Sequence, residues 1–599
     1  MNERELNRLI DQVKEGAMPR RDFVRRMLAL GLTVPMAGMM LSHRGVAWAQ
    51  SEAGPHSYKP TKAGGGGPLK LLFWQAATLL NPHFAVGTKD QQGCRIFYEP
   101  LATWDGEANL VPVLAAEAPS LENGAVTKDG RSVTWKIKKG VTWHDGKPLT
   151  ADDLVFNWAY TTNPATAAVS SGNYANMKVE KVDDHTIRIV FDNPNPFWSN
   201  AFVGSYGQII PKHLFENFVG EKSRDAPTNL APVGTGPYKF VEFRPGDILR
   251  AERNTAYHLP NRPHFDTVEL KGGGDAVSAA RAVLQTGEYD YAWNMQVEDE
   301  QLKRFEASGK GRVEMAYANN AEFILLNATD PNQEVDGERS SPKTTHFAFS
   351  DPAVRKAMNL LIDRDSIQKF IYGRTGRATA NVLNGPSKVA SKNTSYEFNI
   401  AKADKLLEDA GWKKGGDGIR AKDGKKLKLV YQTSINAPRQ KTQAIVKQAA
   451  QKAGIDIEIK SIPATVYFSS DVANPDTYGK FYADIEMLTF NTTTTDPSWW
   501  MQQYVSWQIS SKENKWQSRN LTRAKIEEAD RLFKAADQEL DPVKRAELYI
   551  KMNDVVVAEG YVQPLLYRAE VGAYVKALKV PISGWDVSLS GLSEWYKEG

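Results

Sequence analysis

Nine histidines, one cysteine and a few acid pairs are the chain's main material for bond-making or metal chemistry, and their spacing suits neither. No two histidines stand four apart, and His258 and His264, six apart, cannot share one helical face as a metal pair. Cys94 is the only cysteine, which excludes an intrachain disulfide and any cysteine-based zinc or iron–sulfur centre. The stretch Gly140–Lys147 imitates a phosphate loop, but it has five residues between its glycines and continues into Pro148 where Ser or Thr is required. Gly234-Thr235-Gly236 lacks the third glycine of a dinucleotide loop, and no Gly-x-Ser-x-Gly elbow occurs. His144-Asp145 is half of a triad in composition, yet it sits in the turn-like Trp143-His144-Asp145-Gly146-Lys147. Asp152-Asp153 follow Thr150 as acids in a first helical turn, which capping explains. No catalytic residue, cofactor site or metal site is assigned. The abundant chemistry is aromatic: 15 Trp, 22 Tyr and 23 Phe. Such side chains give large contact area at low entropic cost, which suits recognition.

The elements that must position these residues are those of a large globule. A chain of 599 residues, 41% hydrophobic and 24% charged, should form two to four domains. Met27–Ser42 is its one long uncharged stretch, and sixteen residues broken by Gly31, Pro35 and Gly38 suit a signal core better than a membrane span. Arg20-Arg21 with Phe23 precede it and resemble a bacterial twin-arginine export signal, although Pro19 stands where Ser or Thr is common. Ala47-Trp48-Ala49 supplies a cleavage pattern, so residues 1–49 are expected to be removed near Gln50. Residues 50–68, with Gly64-Gly65-Gly66-Gly67, are expected to be a flexible linker. Past residue 49, 67 basic and 66 acidic residues remain, which leaves no electrostatic case for nucleic acid.

From Leu69 onward strand-like and helix-like segments alternate. Leu69–Trp74 is a short apolar run, while Val133–Lys138 and Ile187–Phe191 alternate as half-buried strands. Asp351-Pro352 opens a helix whose Val354, Ala357, Met358, Leu361 and Ile362 share one face. Leu427–Tyr431, Arg439–Ala453 and Ile455–Ile459 read as strand, crossover helix and strand, a parallel βαβ unit. Asp541-Pro542 opens a further helix. The fold class is α/β, with mixed sheets flanked by helices.

Several segments together resemble family 5, the oligopeptide- and dipeptide-type solute-binding proteins of bacterial ABC importers. They are Trp135–Asp153, Pro232-Val233-Gly234-Thr235-Gly236-Pro237-Tyr238, Arg253–Tyr257, Val354–Met358 with Ile362-Asp363-Arg364, and Lys405–Trp412. The resemblance runs from about Leu69 to the C-terminus. It implies a three-domain protein of the periplasmic binding protein type II-like fold, whose two lobes close on a ligand by hinge motion. Domain I is then expected at 69–104, 228–325 and 561–599, a domain II insert at 105–227, and domain III at 326–560. The implied partners are a small or peptide-like solute and the permease and ATPase subunits of an importer, with the protein itself a monomer in the periplasm.

The same resemblance singles out two segments as ligand-binding. In peptide binders of the family an Asp shortly after an aromatic pairs with the peptide ammonium. Here that segment is Phe490-Asn491-Thr492-Thr493-Thr494-Thr495-Asp496-Pro497-Ser498-Trp499-Trp500, and the Asp position falls on Thr493. The acid common in the first loop of domain I is also missing, the loop reading Gln75-Ala76-Ala77-Thr78. A hydroxyl cannot neutralise a buried ammonium, so free peptides fit poorly unless Asp496 takes over that role. The expected binding set is Trp74, Ala77, Phe490, Asn491, Thr492, Thr493, Asp496, Trp499 and Trp500. Its indoles would stack on a peptide-like, sugar-like or opine-like solute.

Overall fold

The computed structural model describes residues 60–597 except 107–108, 386 and 492–494, together with 3–14, 18, 22–23 and 26–27. Arg20-Arg21, the cleavage segment Ala47-Trp48-Ala49, Thr492 and Thr493 lie outside the described residues.

Two large sheets carry the molecule. The first has seven strands in the order Gly311–Ala316, Glu570–Val575, Tyr291–Ala292, Pro68–Phe73, Thr267–Gly272, Ile248–Arg253 and Tyr238–Arg244. Pro68–Phe73 runs parallel to both of its neighbours, and the other pairs are antiparallel. The second has six strands: Gly376–Ala378, Val562–Arg568, Ala321–Leu326, Ile485–Phe490, Lys428–Ser434 and Asp456–Ile462. Here the βαβ unit is present as expected. Lys428–Ser434 pairs in parallel with Asp456–Ile462, from Lys428 opposite Asp456 to Ser434 opposite Ile462, and Ala437–Lys452 is the crossover helix. Asn436 caps that helix by accepting from Arg439 N at 3.0 Å, and Asp351 caps Pro352–Leu360 through Ala353 N at 2.9 Å.

The chain passes between the two sheets twice, through residues 317–320 and through Ala569. Residues 321–325 and 561–568, grouped with domain I from the sequence, therefore hydrogen-bond into the second sheet. Their apolar runs read equally well on either side of a crossover, because a fully buried strand has no alternation to reveal which sheet it joins.

The insert forms a separate antiparallel sheet, Ser132–Lys136, Thr186–Phe191 and Met177–Asp183, over a core that holds Trp135 and Trp143. The Trp-His-Asp-Gly turn is structural. His144 Nδ1 accepts from Gly234 N at 3.1 Å, and its Nε2 faces Gly236 O at 3.0 Å, tying the insert to the Pro232–Tyr238 loop. Burial pulls the imidazole pKa down to about 4 and keeps it neutral, as that pair of bonds requires. A Cβ on Gly234 would lie 1.8 Å from Phe97 O, so the glycine is required by close approach. Asp153 accepts from Thr150 N at 3.0 Å, confirming the cap.

The glycine run is not a loose linker over its whole length. Gly65 N and Gly67 N donate to the Asp266 carboxylate at 3.0 and 3.1 Å, and Gly64 N and Gly66 N bond Pro263 O and His264 O. Gly64, Gly65 and Gly67 all have positive φ, which lets successive amides converge on one acid. Among the described residues no helix is long and apolar enough to cross a membrane.

Candidate functional site

Between the sheets lies a cleft with roughly 1210 Å³ of atom-free space, part of it continuous with solvent. The first lobe contributes Val86–Lys89 at the start of the helix Thr88–Cys94 and the segment Trp293–Gln296 after a short strand. The second contributes the end of Ile485–Phe490, Trp499 and the Trp516–Arg519 loop. Both crossovers border it, through Asn320 and Arg568–Glu570. The lobes touch across the cleft. Asn491 Nδ2 donates to Thr88 Oγ1 at 2.9 Å, Ser470 Oγ to Asp90 Oδ2 at 2.9 Å, and Lys441 pairs with Glu298 at 2.7 Å.

Of the nine residues expected to bind, Phe490, Asn491 and Trp499 line this cleft. Trp74 does not. Pleating sends Leu71 and Phe73 to one core and Trp74 to the other, beneath the helix Ala276–Leu284, where its Nε1 donates to Asn294 O at 2.8 Å. The next residue, Gln75, reaches the cleft instead. Ala77 is buried, and a Cβ on Gly93 would lie only 3.3 Å from it, so it is a packing residue. Successive helical residues point about 100° apart. Trp499 therefore faces the cleft while Trp500 enters the second core and donates to Val382 O at 2.8 Å.

Asp496 is also committed elsewhere. It caps Pro497–Met501 through Ser498 N at 2.9 Å, accepts from Asn200 Nδ2 at 2.9 Å and pairs with Arg545 at 3.4 Å. Burial raises its pKa, and Arg545 opposes that rise. The carboxylate is not among the groups that line the cleft.

The charged groups of the walls escaped sequence reasoning. Glu322 is fully buried in Ala321–Leu326 and accepts from Arg439 Nε at 2.6 Å and Arg568 Nη1 at 3.2 Å. Thr489 Oγ1 joins this cluster, receiving a hydrogen bond from Arg568 at 2.7 Å and donating to Glu322. Burial works against ionisation of Glu322, but the two guanidiniums outweigh it and hold the carboxyl below its ordinary range. Lys89 lies 2.8 Å from Asp90. Glu570, beside the Ala569 crossover, is pushed up to about 7 by burial, against a hydrogen bond from Ser588. Arg519 stacks 3.5 Å over the Trp499 ring, and Tyr206 lies 5.0 Å from that ring on the first-lobe side. One signal was available: a glutamate inside the otherwise apolar Ala321–Leu326 is improbable unless it is paired.

Two mixed lobes joined by two crossovers around an interlobe cleft match what the signature segments implied. The family profile described as "Bacterial extracellular solute-binding proteins, family 5 Middle" matches residues 109–512. The chain belongs to family 5 of the bacterial extracellular solute-binding proteins. Among relatives of this family 5 protein, the oligopeptide-binding protein AppA of Bacillus subtilis is 27% identical over 449 residues, 73% of this chain and 76% of AppA. The glutathione-binding protein GsiB of Escherichia coli K12 is 23% identical over 519 residues, 84% of this chain and 89% of GsiB. The solved structure of B. subtilis AppA with a nonapeptide superposes with a TM-score of 0.77 at 26% identity, covering 90% of this chain and all of AppA. The expected type II-like two-lobe fold is thus present in this family 5 chain.

Proposed function

We propose that this protein is the exported capture component of an ABC importer, holding a peptide-like or other polar small solute without altering it. On this reading it works as a monomer in the periplasm after removal of residues 1–49 and presents its closed, filled form to a permease. The observation that carries the reading is the cleft itself: aromatic and polar side chains from both lobes converge on one space, and both hinge crossovers border it. A solute bridging such walls binds the closed form better than the open one, and only that difference can drive closure. The relatives named for oligopeptides and glutathione support a peptide-like cargo. The role needs no nucleophile, cofactor or metal.

Mass spectrometry of solute released from natively purified protein, followed by small-angle scattering with and without it, tests the reading. A compaction on binding, with the solute recovered intact, is the expected result. Chemical conversion of the solute, or identical scattering curves, would exclude it.

A further inference from the structure

The cleft is unevenly charged. Four cations line it, Lys89, Arg439, Arg519 and Arg568, against one lining acid, Glu570. Three of the cations already have partners, because Asp90 serves Lys89 and Glu322 serves both Arg439 and Arg568. Among the described residues Arg519 has no carboxylate within ion-pair distance and its buried Nε has no acceptor, so its one polar side-chain partner there is the neutral hydroxyl of Tyr206. Residues 492–494, outside the described residues, are threonines and bring no charge. Desolvation without an acid nearby lowers the Arg519 pKa, while Tyr206 and Tyr478 oppose the fall.

A guanidinium held this way is costly unless something neutralises it. The Trp499 indole covers its face and the Tyr206 hydroxyl takes part of its edge, which leaves the Nε side, and edge-on hydrogen bonding is the geometry a carboxylate accepts. The same stacking occupies one face of the indole, so that face is closed to a cation on the solute. Glu570 does little to offset the excess, since burial leaves it part-protonated near neutral pH.

We propose that Arg519 is the anchor for a carboxylate of the solute, and that the cleft selects solutes with net negative charge over zwitterions, neutral compounds and cations. This rests on the capture role proposed above and adds to it the charge class of the cargo.

The test uses the mature full-length chain and matched probes: N-acetyl-dialanine and N-acetyl-trialanine as free acids, the same compounds as C-terminal amides, and unblocked di- and trialanine. Thermal shift and calorimetry should show the acids binding and the amides binding at least about tenfold more weakly, the loss expected for one charge-assisted pair. Arg519→Gln should lose the acids by a similar factor, and Arg519→Lys should recover part of it. Equal binding of acids and amides, or unblocked peptides bound best in a Glu570-dependent way, overturns the proposal and leaves the capture role standing. If Arg519→Gln is unstable, the acid–amide comparison on the wild-type chain decides alone. If no probe binds, the solute released from natively purified protein decides: an anion supports the proposal, and a neutral or cationic compound overturns it. Absence of both probe binding and released solute removes the capture role itself.

Discussion

Arg439 Nε lies 2.6 Å from Glu322 Oε1, with both side chains buried where the second sheet meets the cleft. Arg568 reaches the same carboxylate at 3.2 Å from the strand that leads directly into the Ala569 crossover. One acid therefore neutralises two arginines, ties three neighbouring elements together and leaves the cleft wall cationic. Replacing it uncovers both charges at once.

Glu322→Gln should accordingly cost about 3–5 kcal/mol, the usual penalty for stranding a buried charge. Urea unfolding of the mature chain measures it. A change under about 1 kcal/mol would mean that water or rearrangement reaches the guanidiniums, and the cluster would then lose its structural role.

Glu486 is buried in Ile485–Phe490, and burial pushes its pKa up to about 8, against a 2.6 Å hydrogen bond from Gln432. A carboxyl whose folded pKa is raised holds its proton more tightly when folded. Its contribution to stability is complete below its ordinary pKa of 4.5 and is lost as pH climbs through 8. Glu486→Gln should change little at pH 5 and stabilise by about 1–3 kcal/mol at pH 8.5. Unfolding midpoints at the two pH values check the sign, and equal effects at both would contradict the shift.

Asp496→Asn separates two roles. As a capping and ion-pairing group between the insert and the second lobe, it loses the Arg545 pair when neutralised but is also freed of the burial cost that raises its pKa, so stability at pH 7 should change by less than about 1 kcal/mol. Solute affinity at a temperature where the variant is folded should stay within about twofold, well below the energy of one charged contact. A large selective loss of affinity would return Asp496 to the binding site.

Local chemistry accounts for what was legible in the chain. Asp351 before Pro352 announced a second-lobe helix, and the alternation of Ile187–Phe191 announced an insert strand, because caps and pleats depend on adjacent residues. The family motifs located the fold but not the cleft, since His144 and Gly234 serve the joint between insert and first lobe. Trp74 and Trp500 pack into cores rather than lining the cleft, and the chain could not show it, because an aromatic at the edge of a ligand loop is indistinguishable by type from one turned into a core. Arg519 was invisible because the chain from Gln502 to Ile526 has only short turns and no hydrophobic period. Its meaning comes from Tyr206, more than 300 residues away, and from an absent acid, neither of which a local pattern records.

The bond from Asn491 to Thr88 crosses the cleft at 2.9 Å and exists only when the lobes meet. It joins the end of the central second-lobe strand to the first residue of the helix Thr88–Cys94, so it reports closure without belonging to either core. Removing it should weaken the closed form by about 1 kcal/mol, the net worth of one neutral hydrogen bond, and so reduce solute affinity about fivefold. Asn491→Ala should also shift the unliganded scattering profile toward larger radius while leaving the unfolding midpoint of either lobe unchanged, because the open form never makes this contact. Thr88→Ala should reproduce both effects, and the double variant should add nothing further. Additive losses in the double variant would show that the two side chains act separately, on the solute rather than on each other.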